Sequence, residues 1–122
     1  IYMSVKNLAD CPLEPIAAGE KTSKQVLISE KEGPNFAMRR FVIEPGGFMP
    51  LHTNSVEHEQ FCLGGEAEVV IGDEQLIVKK NDVVFIPANI PHSYKTLSSE
   101  PFEFLCLIPN LEDIIEIKDV VK

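Results

Sequence analysis

A chain of 122 residues can bury one hydrophobic core and is too short for two ordinary domains, which makes a single site the natural target. Hydrophobic residues make up 44% of it and charged residues 25%, a balance that excludes disordered and fibrous chains. The formal net charge of −8, from 11 Lys and Arg against 19 Asp and Glu, repels phosphate backbones and anionic lipid, so neither nucleic acid nor a membrane is an expected partner.

Residues 1–23 read as an N-terminal arm, with Pro12, Pro15 and a polar stretch from Gly19 to Ser23, that packs on the domain or on a second subunit. Its opening stretch, IYMSVKNLADCPLEP, lacks the apolar centre of a secretion signal, and no apolar run in the chain approaches the roughly 20 residues that span a bilayer. Cys11, Cys62 and Cys106 are widely spaced and form no C-x-x-C pair. They suggest reduced thiols in the cytoplasm rather than a disulfide framework or a thiolate zinc cluster.

Beyond the arm, short runs rich in Val, Ile and Phe alternate with Gly, Pro, Asn and Asp, and no long helical period is present. Strands are expected over Lys24–Ser29, Asn35–Ile43, His58–Leu63, Ala67–Ile71, Gln75–Val78, Val83–Ile86, Ser93–Thr96 and Phe102–Ile108. Gly72-Asp73-Glu74 reads as a hairpin turn, and Gly64-Gly65 and Asn81-Asp82 as further turns. This spacing favours a sandwich or barrel over a βαβ sheet. The expected organisation is one domain over residues 1–122, with a barrel core at about 25–109 and a tail at 110–122 that reads equally as a short helix or a strand.

The residues that carry chemistry are the three histidines, His52, His58 and His92. Alternate side chains on an extended strand share a face, so His52 and Asn54 are expected to point together. His58 follows across the turn Ser55 to Glu57, and His92 arrives on a separate strand 34 residues later. Imidazoles converging from separate strands are the donor set of a transition-ion site, and these account for every histidine in the protein. Glu57 and Glu59 flank His58 and should face away from it. Asn54 stands open as a weak ligand through its amide oxygen, as a partner of a bound water, or as a bystander.

Pocket candidates follow from the same alternation. Arg39, taken with Ala37, Phe41 and Ile43, is assigned inward in preference to Arg40; there it can hold a substrate carboxylate, or else pair with a surface acid at the rim. Gln60 shares the face of His58, and Phe104 and Cys106 share a face of the last strand. Cys106 reads as a small buried apolar residue, since no histidine remains to activate a thiol. Phe48, Met49 and Leu51 are placed in a loop at the mouth. No Gly-rich phosphate loop, G-x-S-x-G elbow or free catalytic histidine is present.

Two stretches, EPGGFMPLHTNSVEHEQFCLGG at Glu44–Gly65 and FIPANIPHSY at Phe85–Tyr94, resemble the cupins, whose motifs are G-x5-H-x-H-x3,4-E-x6-G and G-x5-P-x-G-x2-H-x3-N. His52 stands at the first histidine, Asn54 where the second usually is, His58 at the glutamate and Gly65 at the closing glycine. In the second motif Pro87 and His92 match, Asn89 replaces a glycine, Thr96 replaces the final Asn, and Asn81 stands where Gly is common.

The resemblance spans about residues 25–109 and is nearest to small prokaryotic cupins with a histidine at the glutamate position. It implies an all-β double-stranded β-helix, or jelly-roll barrel, and a homodimer. It also implies one divalent metal ion per chain; the subset suggests Mn, while imidazole donors suit Fe, Zn, Ni and Cu equally. Three functional classes follow. The first is a mononuclear dioxygenase-type oxidoreductase acting on a small organic molecule, the second a redox-neutral metal-dependent isomerase or lyase, and the third a non-catalytic small-molecule-binding cupin.

Overall fold

A computed structural model describes residues 4–118; the outermost residues of the expected arm and tail, 1–3 and 119–122, lie outside the described residues. The arm contributes a single 3₁₀ turn at Leu8–Asp10 and the strand β1 (Glu14–Pro15). Then follow β2 (Glu20–Ile28), β3 (Phe36–Asn54), β4 (His58–Gly64), β5 (Glu66–Ile71), β6 (Glu74–Lys79), β7 (Val83–Ile86), β8 (His92–Thr96), β9 (Phe102–Pro109) and β10 (Ile115–Ile117). Every pairing is antiparallel, in the order β6-β5-β8-β3-β9-β4-β7, with β2 and β10 also on β3 and β1 on β2. No helix among the described residues is long and apolar enough to cross a membrane.

The long strand β3 makes the jelly roll. Its first half, Phe36–Ile43, pairs with β9, and its second half, Phe48–His52, pairs with β8, so one strand joins the two arms of a single curled sheet. Between the halves lies Glu44-Pro45-Gly46-Gly47, where β2 moves from Thr22 to Glu20 while β3 moves from Ile43 to Phe48. Pro45 cannot donate to a ladder and Gly46 takes φ 82°, so this stretch bulges and bends the strand without ending it. Phe48, Met49 and Leu51 therefore lie in β3 and not in a loop at the mouth, a correction to the sequence reading.

Alternation decides which side chains fill the barrel. Ile43 on β3, Cys62 on β4, Ala67 and Val69 on β5, and Phe102 and Phe104 on β9 are buried in one cluster. Gly65 closes β4 onto β5 with φ 76°, and a Cβ there would stand 2.2 Å from the Pro101 carbonyl oxygen, so only glycine fits. Asn81 (φ 77°) and Asn89 (φ 65°) also adopt left-handed backbone, which asparagine tolerates better than other side chains. That conformation explains why they stand where the motif has glycine.

Both ends of the chain add to the barrel. Gln25 on β2 donates from Nε2 to the carbonyls of Leu8 (3.1 Å) and Cys11 (2.8 Å), which holds the arm against its own domain. The tail resolves as a strand: β10 pairs Ile115, Glu116 and Ile117 with Asn54, Thr53 and His52.

Candidate functional site

The three histidines meet at one end of the barrel. His52, near the end of β3, is the register partner of His92, which opens β8, and their ring centroids are 4.2 Å apart. His58 opens β4, and its ring centroid lies 5.7 Å from that of His92. The turn between His52 and His58 is clamped from outside by the segment leading into β10. Ser55 donates its N–H toward Asp113 Oδ1 (3.1 Å) and its hydroxyl to the Glu112 carbonyl (3.0 Å).

Two rings are fixed by carbonyls two residues earlier. His52 Nδ1 lies 2.8 Å from the Pro50 oxygen and His92 Nδ1 lies 2.9 Å from the Ile90 oxygen. A carbonyl only accepts, so each Nδ1 carries the proton and each Nε2 presents a lone pair, which is the form a metal ligand needs. His58 Nδ1 instead faces Cys106 Sγ at 3.5 Å. The Nε2 atoms of His58 and His92 are buried without a partner.

Burial keeps these rings neutral. It depresses His58 to about 3, assisted by the charge of Arg39 and then by His92 and His52. Burial likewise lowers His92 to about 4, against the opposing pull of the Ile90 carbonyl. His52 is lowered for the same reason, with Asp113 pulling the other way. At neutral pH all three present lone pairs rather than positive charge.

The histidines line a cavity of about 30 Å³, room for one or two water-sized occupants. Phe41, Met49 and Phe104 form its apolar walls, and Gln60 and Tyr94 supply the other polar groups. Gln60 Nε2 donates to the Tyr94 hydroxyl at 2.7 Å. Burial pushes the Tyr94 phenol far above its ordinary range, so its hydroxyl stays protonated. Because that oxygen accepts from Gln60, its own proton is available to donate. A wider cleft of about 590 Å³, with Gly64, Lys79 and Glu100 in its lining, lies where β9 begins, at the opposite end of that strand. It contains none of the buried unpartnered atoms, whereas the lining of the smaller cavity holds two of them, on His58 and His92.

The remaining sequence candidates divide. Gln60 and Phe104 line the cavity. Cys106 stands behind it, against His58, and burial raises its thiol while Arg39 and Gln60 oppose that rise. Arg39 donates from Nη2 to Cys106 Sγ (3.3 Å) and stacks over the Phe41 ring at 4.9 Å. Asn54 is buried outside the lining and donates from Nδ2 to Asp113 Oδ2 at 3.0 Å, while its Oδ1 has no partner. Glu57 and Glu59 face outward and are exposed. Thr96, which replaces the motif's final Asn, donates to the Ile43 carbonyl (2.9 Å) and ties β8 to β3.

Asp113 was not singled out by the sequence. It sits in a tail whose structure the local pattern leaves open, and only the pairing of β10 with β3 brings it to Asn54 and into electrostatic reach of His52.

Among the described residues no group of three or more His, Cys, Asp or Glu side chains is placed to hold a metal ion as the side chains stand. The fit of the three histidines to a divalent ion rests on donor chemistry: neutral imidazoles, two anchored on carbonyls, with two buried Nε2 atoms lacking partners. Among the described residues no carboxylate lines the cavity.

A family profile described as Cupin domain matches residues 39–108. A mannose-1-phosphate guanylyltransferase of Klebsiella pneumoniae is 32% identical over 92 residues, 70% of this chain, and the chain spans 19% of that protein's length. The polyketide cyclase RemF from Streptomyces resistomycificus superposes with a TM-score of 0.89 at 24% identity, over 99% of this chain and 89% of that one. Lactobacillus farciminis oxalate decarboxylase does so with a TM-score of 0.75 at 22% identity, over 91% of this chain and 34% of that one. At these identities the two structural likenesses establish the fold alone.

Proposed function

The chain belongs to the cupin-domain family, and from that membership we propose a metal-dependent enzyme in which His52, His58 and His92 hold one divalent ion that polarises an oxygen atom of a small organic substrate. The observation that carries this is the pair of buried, unpartnered Nε2 atoms on His58 and His92. A buried polar atom without a partner costs free energy, on the order of 1–3 kcal/mol, unless a ligand satisfies it.

When bound, the ion supplies Lewis acidity, undiminished by any carboxylate ligand in the cavity lining. Pro50 and Ile90 fix the proton on Nδ1 of His52 and His92 and thereby orient both rings. Phe41, Met49 and Phe104 exclude water, which strengthens every polar interaction in the cavity. Tyr94 donates its hydroxyl hydrogen to a substrate oxygen that gains negative charge, with Gln60 holding the phenol in place. With its ionisation suppressed, Tyr94 acts as a donor and not as a base.

This favours reactions in which an oxyanion forms without side-chain proton abstraction, such as cyclisation or carbon–carbon cleavage. The activities named for the similar structures, a polyketide cyclase and an oxalate decarboxylase, are in keeping with it. A dioxygenase-type reaction is the second reading, favoured by three imidazole donors that leave further positions on the ion open to substrate and oxygen.

The test is to incubate the metal-loaded chain with a panel of small oxo and hydroxy acids, with and without oxygen. Product formed without oxygen is the expected outcome. Product that requires oxygen establishes the second reading, and no turnover under either condition leaves a binding module.

A further inference from the structure

Resting on the reading that the histidine end of the barrel is the ligand site, we propose that Arg39 forms an anion subsite there, which takes one carboxylate group of a small organic acid. The contrast with its neighbour carries the inference. Arg40 faces away from the barrel interior and is fully engaged, with Glu103 accepting from its guanidinium and Gln25 Oε1 accepting from Nη1 at 2.6 Å. Arg39 lies on the face shared by Phe41 and Ile43, both packed in the core cluster. Its guanidinium stacks over Phe41, which is itself a wall of the histidine cavity.

No acid meets Arg39: among the described residues the ion pairs are Lys6–Glu32, Arg40–Glu103 and Lys118–Glu116. Among the described residues its buried Nε has no hydrogen-bond partner, and the guanidinium's one hydrogen bond is the weak one to the Cys106 sulfur. That sulfur also touches His58, so one atom separates the guanidinium from the imidazole. Asp113, the acid that acts electrostatically on both His52 and Cys106, is already engaged by Asn54 and Ser55.

The result is a half-buried cation in apolar surroundings with an unused donor, beside neutral rings and no carboxylate. A guanidinium offers a planar fork that a carboxylate meets bidentately. One positive charge balances one carboxylate, whereas a phosphate dianion would leave an excess charge against Phe41 and Phe104. The subsite therefore selects substrates or products that carry a carboxylate, and it orients them with the rest of the molecule toward the histidines.

Acetate serves as the probe. The full chain, dialysed against chelator, is titrated with acetate replacing chloride at constant ionic strength, and the arginine Nε–H resonances are followed by NMR. The Arg39 signal is expected to shift and saturate. Binding should weaken at least ten-fold in Arg39→Gln, weaken several-fold in Arg39→Lys, which keeps the charge and loses the fork, and stay unchanged in Arg40→Gln. Phosphate should bind more weakly than acetate. A response that fails to saturate, or that persists in both Arg39 variants, overturns the subsite; stronger phosphate binding overturns its carboxylate selectivity. Amide spectra and melting curves show whether each variant is folded, and Arg39→Lys keeps the test valid if Arg39→Gln is not. Metal uptake measured on the same wild-type chain separates the two readings, since saturable acetate binding by a chain that takes up no divalent ion upholds the subsite while the metal reading fails.

Discussion

The two ends of the barrel are built from the same strands and differ in what their inward side chains leave undone. Where β9 begins, Phe102 and Ile43 pack with Cys62 and Ala67, all essentially without solvent exposure, and Thr96 completes its hydrogen bond to β3. Four residues further along β9, Cys106 faces His58 and Arg39, and the buried atoms His58 Nε2, His92 Nε2 and Arg39 Nε have no partners. The first end specifies the fold by filling space. At the second, that rigid end holds polar atoms in place with their capacity unspent, which is how a site is kept organised before its ligand arrives.

The sharpest way to break this comparison is to damage the packed end alone. Phe102→Ala should cost about 3–5 kcal/mol by urea denaturation, the ordinary penalty for removing a fully buried aromatic ring, while the metal content of the folded fraction stays unchanged. A parallel loss of metal would show that the two ends are not separable.

Acid should strike the other end. In the folded chain His58 titrates near 3 and His92 near 4, both below the ordinary value of 6.5. Between these values the unfolded chain binds more protons than the folded one, so stability is fully present above about 6.5 and is lost as the pH falls toward 4. Melting temperatures measured across that range should decline, and the decline should be shallower in His58→Gln.

Asp113→Ala leaves Asn54 Nδ2 without its acceptor and removes one of the two acceptors of the Ser55 N–H, the other being the Ile114 carbonyl, which should cost about 1–2 kcal/mol. It should also weaken metal uptake by about ten-fold through loosening of the turn between His52 and His58. Tyr94→Phe is the mildest for the fold, about 1 kcal/mol for the lost bond with Gln60, yet turnover should fall about 100-fold if its hydroxyl stabilises an oxyanion.

Much of the packed end is legible in the sequence, because alternation of apolar residues is a local signal. Val83–Ile86 coincides with β7, and the inward set of β9 follows directly from Phe102, Phe104 and Cys106. Two features were not legible. The cluster Pro45-Gly46-Gly47 has the composition of a chain break, and only pairing with β2 and β8 turns it into a bulge within one strand.

At the site the histidines and the inward set of Arg39 and Phe41 follow from motif and parity. Asn54 does not, because strict alternation lapses where the register with β8 slips between Met49 and His52. There β10 lies along the strand, His52, Thr53 and Asn54 are buried in succession, and Asn54 turns to Asp113. A long-range pairing of this kind has no local trace in a single sequence.

The central claim is that His52, His58 and His92 hold one metal ion. Its most direct test is metal content by mass spectrometry on the chain purified without added metal and again after exposure to divalent ions, beside His58→Ala and with folding checked by melting. About one transition ion per chain, absent from a folded His58→Ala variant, is the result this account expects. A folded wild-type chain that takes up no ion, or a variant that retains one, would contradict it.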